Sequence, residues 1–297
     1  MAGALVVGES LVDVVQRPDG TTVEHAGGSA ANVALALARL GRPVQLLTAF
    51  GDDERGAVLA RHLNQSAVGL VGDPHALDRT ATALATLAAD GSASYTFDIE
   101  WRLNDVPDLQ PVAVHACSIG AVLEPGATDV RRLLEGLRPS ATISYDVNAR
   151  PAVTGAGPDL VRAVEEVAAL ADLVKASDED LDVLYPGEPV GQVVDRLLGL
   201  GPSAVVVTRG RHGALWFGAG TRVDVPATEA EVADTIGAGD SFGAAVIDSL
   251  WDLNALGGRL TGLESGDVEF VLRQAARAAA ITVSRPGADP PYRHELL

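Results

Sequence analysis

A glycine-rich stretch beside one carboxylate, DTIGAGDSFGAA, has the residue types for chemistry on an anion. Gly237, Ala238 and Gly239 lack large side chains, so a phosphate can approach their backbone N–H groups at the start of a predicted helix. The macrodipole of that helix adds positive potential. Asp240 then has two interpretations. It either stabilises the helix dipole, or it is a general base that takes a hydroxyl proton beside a transferring phosphoryl group.

The spacing Gly237-x-Gly239-x-x-x-Gly243 also resembles a loose dinucleotide-binding fingerprint, which would indicate a nicotinamide oxidoreductase. That fingerprint follows the first strand of a βαβ unit and precedes an acidic residue about 20 positions further on. Here it follows EVADTI and leads into helical sequence. Lys175 is the only lysine and lies in no Gly-x-x-x-x-Gly-Lys string, so a Walker-type loop is excluded.

A second stretch, HAGGSAANVALALARLG, combines glycines with an amide side chain. Gly27 and Gly28 permit a close approach to the backbone, and Asn32 can donate to and accept from sugar hydroxyls. A hairpin exit followed by an amphipathic helix explains the glycines equally well. It does not explain Asn32 in the first helical turn.

Composition limits the class of protein. The 297 residues suffice for one large domain with a well-buried core. A net charge of −18 repels nucleic acid and anionic membranes, so we expect neither as a partner. No apolar run reaches the ~18 residues of a membrane span, and the start of the chain has no basic segment typical of a signal peptide. The lone Cys117 suits a reducing, cytoplasmic setting.

Buried β-rich runs alternate with amphipathic stretches, which predicts a mainly parallel sheet with helices on both faces. The predicted strands are 4–8, 43–50, 111–122, 141–147, 171–177 and 204–210. The predicted helices are 28–40, 54–63, 128–137, 158–170, 190–200, 240–253 and 267–284.

Two segments, 11–28 and 80–101, interrupt this alternation, and each centres on an Asp-Gly turn between β-rich flanks. That pattern is typical of a β-hairpin. We expect four strands of a small separate sheet that covers one edge of the main domain. Ordinary surface hairpins are the alternative.

Taken together, these strings resemble the ribokinase-like (PfkB) carbohydrate kinases over nearly the full length. The matching segments are AGGSAANVALALARLG, LLTAFGDDERG, VVVTRGRHGALWF, DTIGAGDSFGAAV and AARAAAITVSRPGADP. The resemblance implies a Rossmann-like three-layer α/β/α sandwich with a small β-sheet lid. It implies one domain over 1–297, with lid segments at about 11–26 and 79–103. It also implies ATP and Mg²⁺.

The resemblance assigns roles residue by residue. Asp240 is the expected base, and Gly237, Ala238 and Gly239 form the expected anion hole. The residues expected to bind the sugar are Asp13, Gly27, Gly28, Asn32 and, through the Asp-x-Asn-x-Arg string YDVNARP, Arg150. The residues expected on the nucleotide side are Lys175, Ser177, Thr208, Gly210 and Gly213. Asp180 stands where many members have a longer glutamate, and we assign it to Mg²⁺-bound water.

The string GGSAAN resembles the fructokinase branch more than ribokinase, so fructose is the expected acceptor. 2-Keto-3-deoxygluconate and ribose are the alternative acceptors. Binding the carboxylate of 2-keto-3-deoxygluconate would need a cation, which Arg79, Arg102 or Arg150 would supply. Tyr95 and Phe97 either pack over a hexose or form a lid–lid dimer contact. A K⁺ site near Asp234 and the 285–288 loop is a further feature that the sequence leaves open. A protein that senses a sugar or nucleotide without catalysis is the alternative function.

Overall fold

The computed structural model describes residues 3–87, 93–104, 106–218 and 220–296. The strands are β1 (Ala4–Val7), β2 (Leu11–Gln16), β3 (Thr22–Gly27), β4 (Val44–Leu47), β5 (Gly69–Leu70), β6 (Thr82–Leu87), β7 (Ala93–Asp98), β8 (Ala113–Cys117), β9 (Thr142–Asp146), β10 (Leu173–Ser177), β11 (Ala204–Thr208), β12 (Ala214–Gly218) and β13 (Thr221–Val225). The α-helices are α1 (Ser29–Arg39), α2 (Glu54–Gln65), α3 (Ser118–Val122), α4 (Gly126–Leu137), α5 (Pro151–Thr154), α6 (Pro158–Ala168), α7 (Asp178–Leu184), α8 (Val190–Leu200), α9 (Ala238–Asp252) and α10 (Ser265–Val283).

The larger sheet has the strand order β13-β12-β11-β10-β9-β8-β1-β4-β5 within the described residues. From β11 to β5 the neighbours are parallel, and β12 and β13 add an antiparallel edge. Side chains alternate between two apolar layers, as the strand period requires. Val206 packs with residues of α9 and α10, whereas Val205 and Val207 pack with residues of α6 and α8. The predicted mainly parallel sheet between two helical layers is confirmed.

The smaller sheet has the order β3-β2-β6-β7. Its two hairpins are antiparallel, and β2 joins them by pairing in parallel with β6. Val12 and Val14 pack against Phe50 and Leu59, which connects one face of this sheet to α2. The predicted small separate sheet is therefore confirmed. The extents of the lid segments and the single domain stay predictions, and the Asp-Gly turn of the second hairpin lies outside the described residues.

Two local predictions were wrong, and one hairpin was missed. The strand predicted over 111–122 ends at Cys117, because Ser118 takes a left-handed backbone (φ 52°) and α3 begins there. The helix predicted from 240 begins at Ala238, so two of the three small residues lie inside its first turn. No strand was predicted over 214–225, where the antiparallel hairpin β12–β13 closes one edge of the sheet. That hairpin does not follow the strand–helix alternation on which the prediction rested.

In the described part of the chain, no helix has both the length and the apolar character needed to cross a bilayer.

Candidate active site

The backbone turn that begins α9 has the features expected of an anion-binding site. Gly237 is the N-cap residue in a left-handed conformation (φ 74°), and a β-carbon there would lie 2.7 Å from the Ala288 β-carbon. Glycine is required here for both reasons. The amide groups of Gly239 and Asp240 donate to no acceptor among the described residues. The N-terminal end of a 15-residue helix thus presents free N–H groups.

The carboxylate of Asp240 is held from both sides by α1. Its Oδ1 accepts a hydrogen bond from Ser29 Oγ at 2.7 Å, and its Oδ2 accepts one from Asn32 Nδ2 at 2.8 Å. Only 7% of the residue is exposed. Burial raises the pKa of Asp240, and the two hydrogen bonds oppose that rise by favouring the charged form. The geometry therefore fixes a carboxylate with a raised pKa beside the free amides of this turn.

Ser29 belongs to a longer hydrogen-bonded chain that the sequence analysis missed. Its Oγ accepts from Asn148 Nδ2 at 3.0 Å, and the Asn148 carbonyl accepts from Ser118 Oγ at 3.1 Å. Asn148 and Ser118 are non-glycine residues with positive φ, at 35° and 52°. Such backbone is costly and clusters at functional sites. The only sequence signal for Ser29 is its place one turn before Asn32.

Glu9 follows β1 and fixes the first turns of two helices. Its Oε1 accepts from the Ser29 amide at 3.3 Å and its Oε2 from the Gly120 amide at 2.8 Å. Gly28 makes this approach possible, since a β-carbon there would lie 2.6 Å from the Glu9 carbonyl oxygen. Burial raises the pKa of Glu9 to about 7. No motif in the sequence predicts a role for Glu9 in the site.

Lys175 is buried on β10 beside the neighbouring strand β9. Its Nζ donates to Asp146 Oδ2 at 2.6 Å, and a β-carbon on Gly239 would lie 3.5 Å from the same Nζ. Burial opposes the charge on Lys175, but Asp146, with Asp180 and Asp240, outweighs burial and raises the pKa of the ammonium group. A contact of Lys175 with nucleotide phosphate stays a prediction.

Most of the residues predicted to bind sugar lie on the small sheet or at the start of α1. Asp13 on β2 is in register with His25 of β3, and a β-carbon on Gly27 of the same strand would lie 2.3 Å from Asp13 Oδ2. Gly27 therefore leaves room for this carboxylate. No group in the described residues donates a hydrogen bond to Asp13. Burial raises its pKa, and the charge of His25 lowers it. The carboxylate is available to accept hydroxyl groups.

The residues predicted on the nucleotide side follow neighbouring strands. Thr208 ends β11 in register with Ser177 of β10. Gly210 begins a 3₁₀ turn, and Gly213 (φ 87°) ends it. Gly213 has no space for a β-carbon, because the Val225 carbonyl lies against it. Arg150 is exposed and donates to the Ala149 carbonyl at 2.8 Å. The roles of these residues stay predictions.

The sequence of this chain matches the family model described as pfkB family carbohydrate kinase over residues 1–295. The chain belongs to the PfkB family of carbohydrate kinases.

Two comparisons place this PfkB kinase near fructokinases. It is 34% identical to a fructokinase from Rhizobium leguminosarum bv. trifolii over 260 residues, which cover 83% of this chain and 79% of that protein. It matches the crystal structure of fructokinase with bound ATP from Xylella fastidiosa at TM-score 0.84 and 25% identity, covering 100% of this chain and 97% of that one.

A third comparison concerns the fold alone. A fructokinase double mutant from Vibrio cholerae O395, with bound fructose, ADP and potassium ion, matches at TM-score 0.77 and 24% identity. The match covers 97% of this chain and 94% of that one.

The structure of this PfkB kinase suits ATP at the turn described above, because an anion would satisfy the free amides of Gly239 and Asp240. Its carboxylates suit Mg²⁺ less directly. Asp180 Oδ2 accepts from the Ser177 amide and Oδ1 from the Ala149 amide, both at 2.8 Å. Ser177 Oγ in turn accepts from the Asp180 amide, which completes a capping box. Asp180 could reach Mg²⁺ only through water, and this role stays a prediction.

No group of three or more His, Cys, Asp and Glu side chains in the described ranges is placed to hold a metal. Mg²⁺ typically binds through phosphates, water and one or two carboxylates. Asp234, near which a K⁺ site was predicted, contacts the 285–288 loop. Its Oδ1 accepts a hydrogen bond from the Ile236 amide at 3.0 Å, and its Oδ2 accepts one from the Gly287 amide at 2.9 Å. Occupancy by K⁺ stays a prediction.

Proposed function

We propose that this PfkB kinase transfers the γ-phosphoryl group of ATP to a hydroxyl of fructose, with Asp240 as the general base. The observation that supports the proposal most strongly is the position of one clamped carboxylate at a helix N-terminus with free amides. A carboxylate next to an anion site is repulsive in the resting protein, but it is required where a hydroxyl must lose its proton beside a phosphate.

The proposed reaction needs little covalent chemistry from the protein. Asp240 accepts the proton of the sugar hydroxyl while that oxygen bonds to the γ-phosphorus. The bond between this phosphorus and the bridging oxygen breaks, and ADP leaves with the electron pair. The amides of the 237–240 turn donate to the transferring group as its charge redistributes. Mg²⁺, bound with the nucleotide, supplies charge neutralisation.

Two of the three arginines considered for 2-keto-3-deoxygluconate, Arg79 and Arg102, already pair with carboxylates. Arg79 pairs with Asp98 at 2.7 Å, and Arg102 pairs with Glu100 at 3.1 Å and Asp78 at 3.6 Å. A substrate carboxylate would have to displace these partners. The names of the similar fructokinases also support fructose.

The small sheet is proposed to act as a lid and as a contact between two copies. Tyr95 is 65% exposed and stacks on Phe97 with ring centroids 6.3 Å apart. An exposed aromatic face on a thin sheet suits an interface. Sedimentation velocity of the wild type and of Tyr95→Ser tests this. A dimer that the substitution weakens supports the contact, and a monomeric wild type contradicts it. The cytoplasmic location stays a prediction.

The acceptor is tested by measuring ADP release with fructose, 2-keto-3-deoxygluconate, ribose, tagatose and nucleosides, with and without K⁺. We expect the highest kcat/KM with fructose. Higher kcat/KM with another acceptor would contradict the fructose proposal.

Changes in melting temperature on ligand binding distinguish a kinase from a sensor and from an oxidoreductase. Stabilisation by sugars and ATP without ADP release would indicate a sensor. Stabilisation by NAD or NADP and not by ATP analogues would indicate an oxidoreductase.

A further inference from the structure

A row of buried polar side chains lies on the face of the large sheet that α9 covers, beneath the first turns of this helix. His115, Ser144, Asp146 and Lys175 extend across β8, β9 and β10. His115 Nδ1 lies 3.2 Å from Ser144 Oγ, and Lys175 Nζ lies 2.6 Å from Asp146 Oδ2. All four residues are buried. The only lysine of the chain is thus inside the protein.

Stability does not explain this row. The desolvation of two buried charges can exceed their mutual attraction, and an apolar pair of similar volume is often as stable or more so. The row also leaves polar atoms unsatisfied. Asp146 Oδ1 and His115 Nε2 have no hydrogen-bond partner among the described residues. Buried groups of this kind call for another reason.

The ammonium group lies directly under the anion-binding turn. A β-carbon on Gly239 would lie 3.5 Å from Lys175 Nζ, and one on Gly243 would lie 3.9 Å from Lys175 Cδ. The side chain therefore runs beneath the first turn of α9, along a strip that these glycines leave open.

The charges that face Lys175 come from three elements. Asp146 on β9, Asp180 on α7 and Asp240 on α9 all interact with it. His115 on β8 adds no charge, because burial and the nearby ammonium lower its pKa to about 3. Lys175 is the cation within this group of carboxylates.

We propose that Lys175, held by Asp146, is a positioning residue that maintains positive potential under the 237–240 turn when Asp240 and a phosphoryl group come together. This proposal rests on the proposed function. Lys175 acts through the turn, and this differs from the direct nucleotide contact expected from the sequence. Asp146 keeps the ammonium charged, since a buried lysine without a carboxylate tends to lose its proton.

The mutational test is the double variant Lys175→Met/Asp146→Asn, which removes both charges and leaves neither unpaired. We expect kcat to fall about 10- to 100-fold. This fall is comparable to or smaller than the one caused by removing a hydrogen-bond donor that contacts the transition state directly. We also expect the acid limb of the kcat–pH profile to move to higher pH, because Lys175 helps keep Asp240 ionised. KM for the sugar should change little.

The matched control is Asp172→Asn/Arg259→Met. Asp172 precedes the same strand at its opposite end, is fully buried, and its Oδ1 lies 2.6 Å from Arg259 Nη1. This variant should change stability while leaving kcat and the acid limb at their wild-type values. If both double variants behave alike, Lys175 has only a structural role and the proposal is wrong.

A measurement on the wild type needs neither a folded variant nor turnover. In protein labelled with ¹⁵Nζ-lysine, Lys175 gives the single lysine side-chain resonance. The proposal predicts a charged ammonium at neutral pH whose resonance shifts when ADP and orthovanadate, a phosphoryl mimic, are added together. An unchanged resonance on vanadate binding, or no binding, would overturn it. A shift without ADP release from any sugar would instead contradict the proposed function and leave this inference standing.

Discussion

Replacing Ser29 with alanine should change the proton affinity of Asp240 without changing its position. The substitution removes the 2.7 Å hydrogen bond from Ser29 Oγ to Asp240 Oδ1 and leaves the 2.8 Å bond from Asn32. A hydrogen bond to a charged group contributes about 1.5–3 kcal/mol. Since one pKa unit corresponds to about 1.4 kcal/mol, the pKa of Asp240 should rise by roughly 1–2 units. The direction is upward because the lost bond favoured the carboxylate.

The assay is the pH dependence of kcat for the best acceptor found, from about pH 5 to 9. In Ser29→Ala the acid limb should move up by roughly 1–2 units, with kcat above the limb reduced only modestly. The control is Ser241→Ala, which removes a buried hydroxyl next to Asp240 that accepts from Thr282 Oγ1 at 2.8 Å. Its limb should stay at the wild-type pH. An unmoved limb in folded Ser29→Ala, or a shift to lower pH, would refute the reasoning.

Three further predictions concern Glu9, Gly237 and Asp13. The pKa of Glu9 is about 7 in the folded protein and 4.5 for an ordinary glutamate, so wild-type stability falls as pH rises through that window. Measured by denaturation from pH 4.5 to 8, the free energy of unfolding of Glu9→Gln should rise relative to that of the wild type by up to roughly 3 kcal/mol. A stability difference between the two proteins that does not change with pH would contradict this. Gly237→Ala should cost about 1–3 kcal/mol and most of kcat, whereas Gly187→Ala, with φ 75° and open space around it, should keep kcat. Asp13→Asn should raise KM for the sugar roughly 10- to 100-fold and leave KM for ATP unchanged; the reverse pattern would place Asp13 on the nucleotide side.

The sequence contained the pattern for the layered fold and for the anion-binding turn. Strand–helix alternation predicts elements because each buries one apolar face, and this locates Asp240 in the first turn of a helix. This alternation does not predict where a strand ends when the backbone conformation of a single residue ends it. Ser118 takes a left-handed conformation that no propensity for serine predicts, and this ends β8 five residues early.

The partners of Asp240 were harder to predict, because they depend on long-range contacts. Asn32 was expected at the sugar and also donates to Asp240, which lies 208 positions further along the chain. Ser29, which donates to Asp240, and Glu9 and Asn148, which contact Ser29, were not predicted to lie around the base. The nucleotide contact expected of Lys175 stays a prediction, and its pairing with Asp146, which follows from the register of β9 and β10, was not expected.

The base itself is tested most directly by Asp240→Asn, measured as kcat in the ADP-release assay together with the affinity for an ATP analogue by calorimetry. The account predicts a loss of at least about 10²–10⁴ in kcat with analogue binding close to that of the wild type. Near-normal turnover by the folded variant would contradict the assignment of Asp240 as the group that receives the proton.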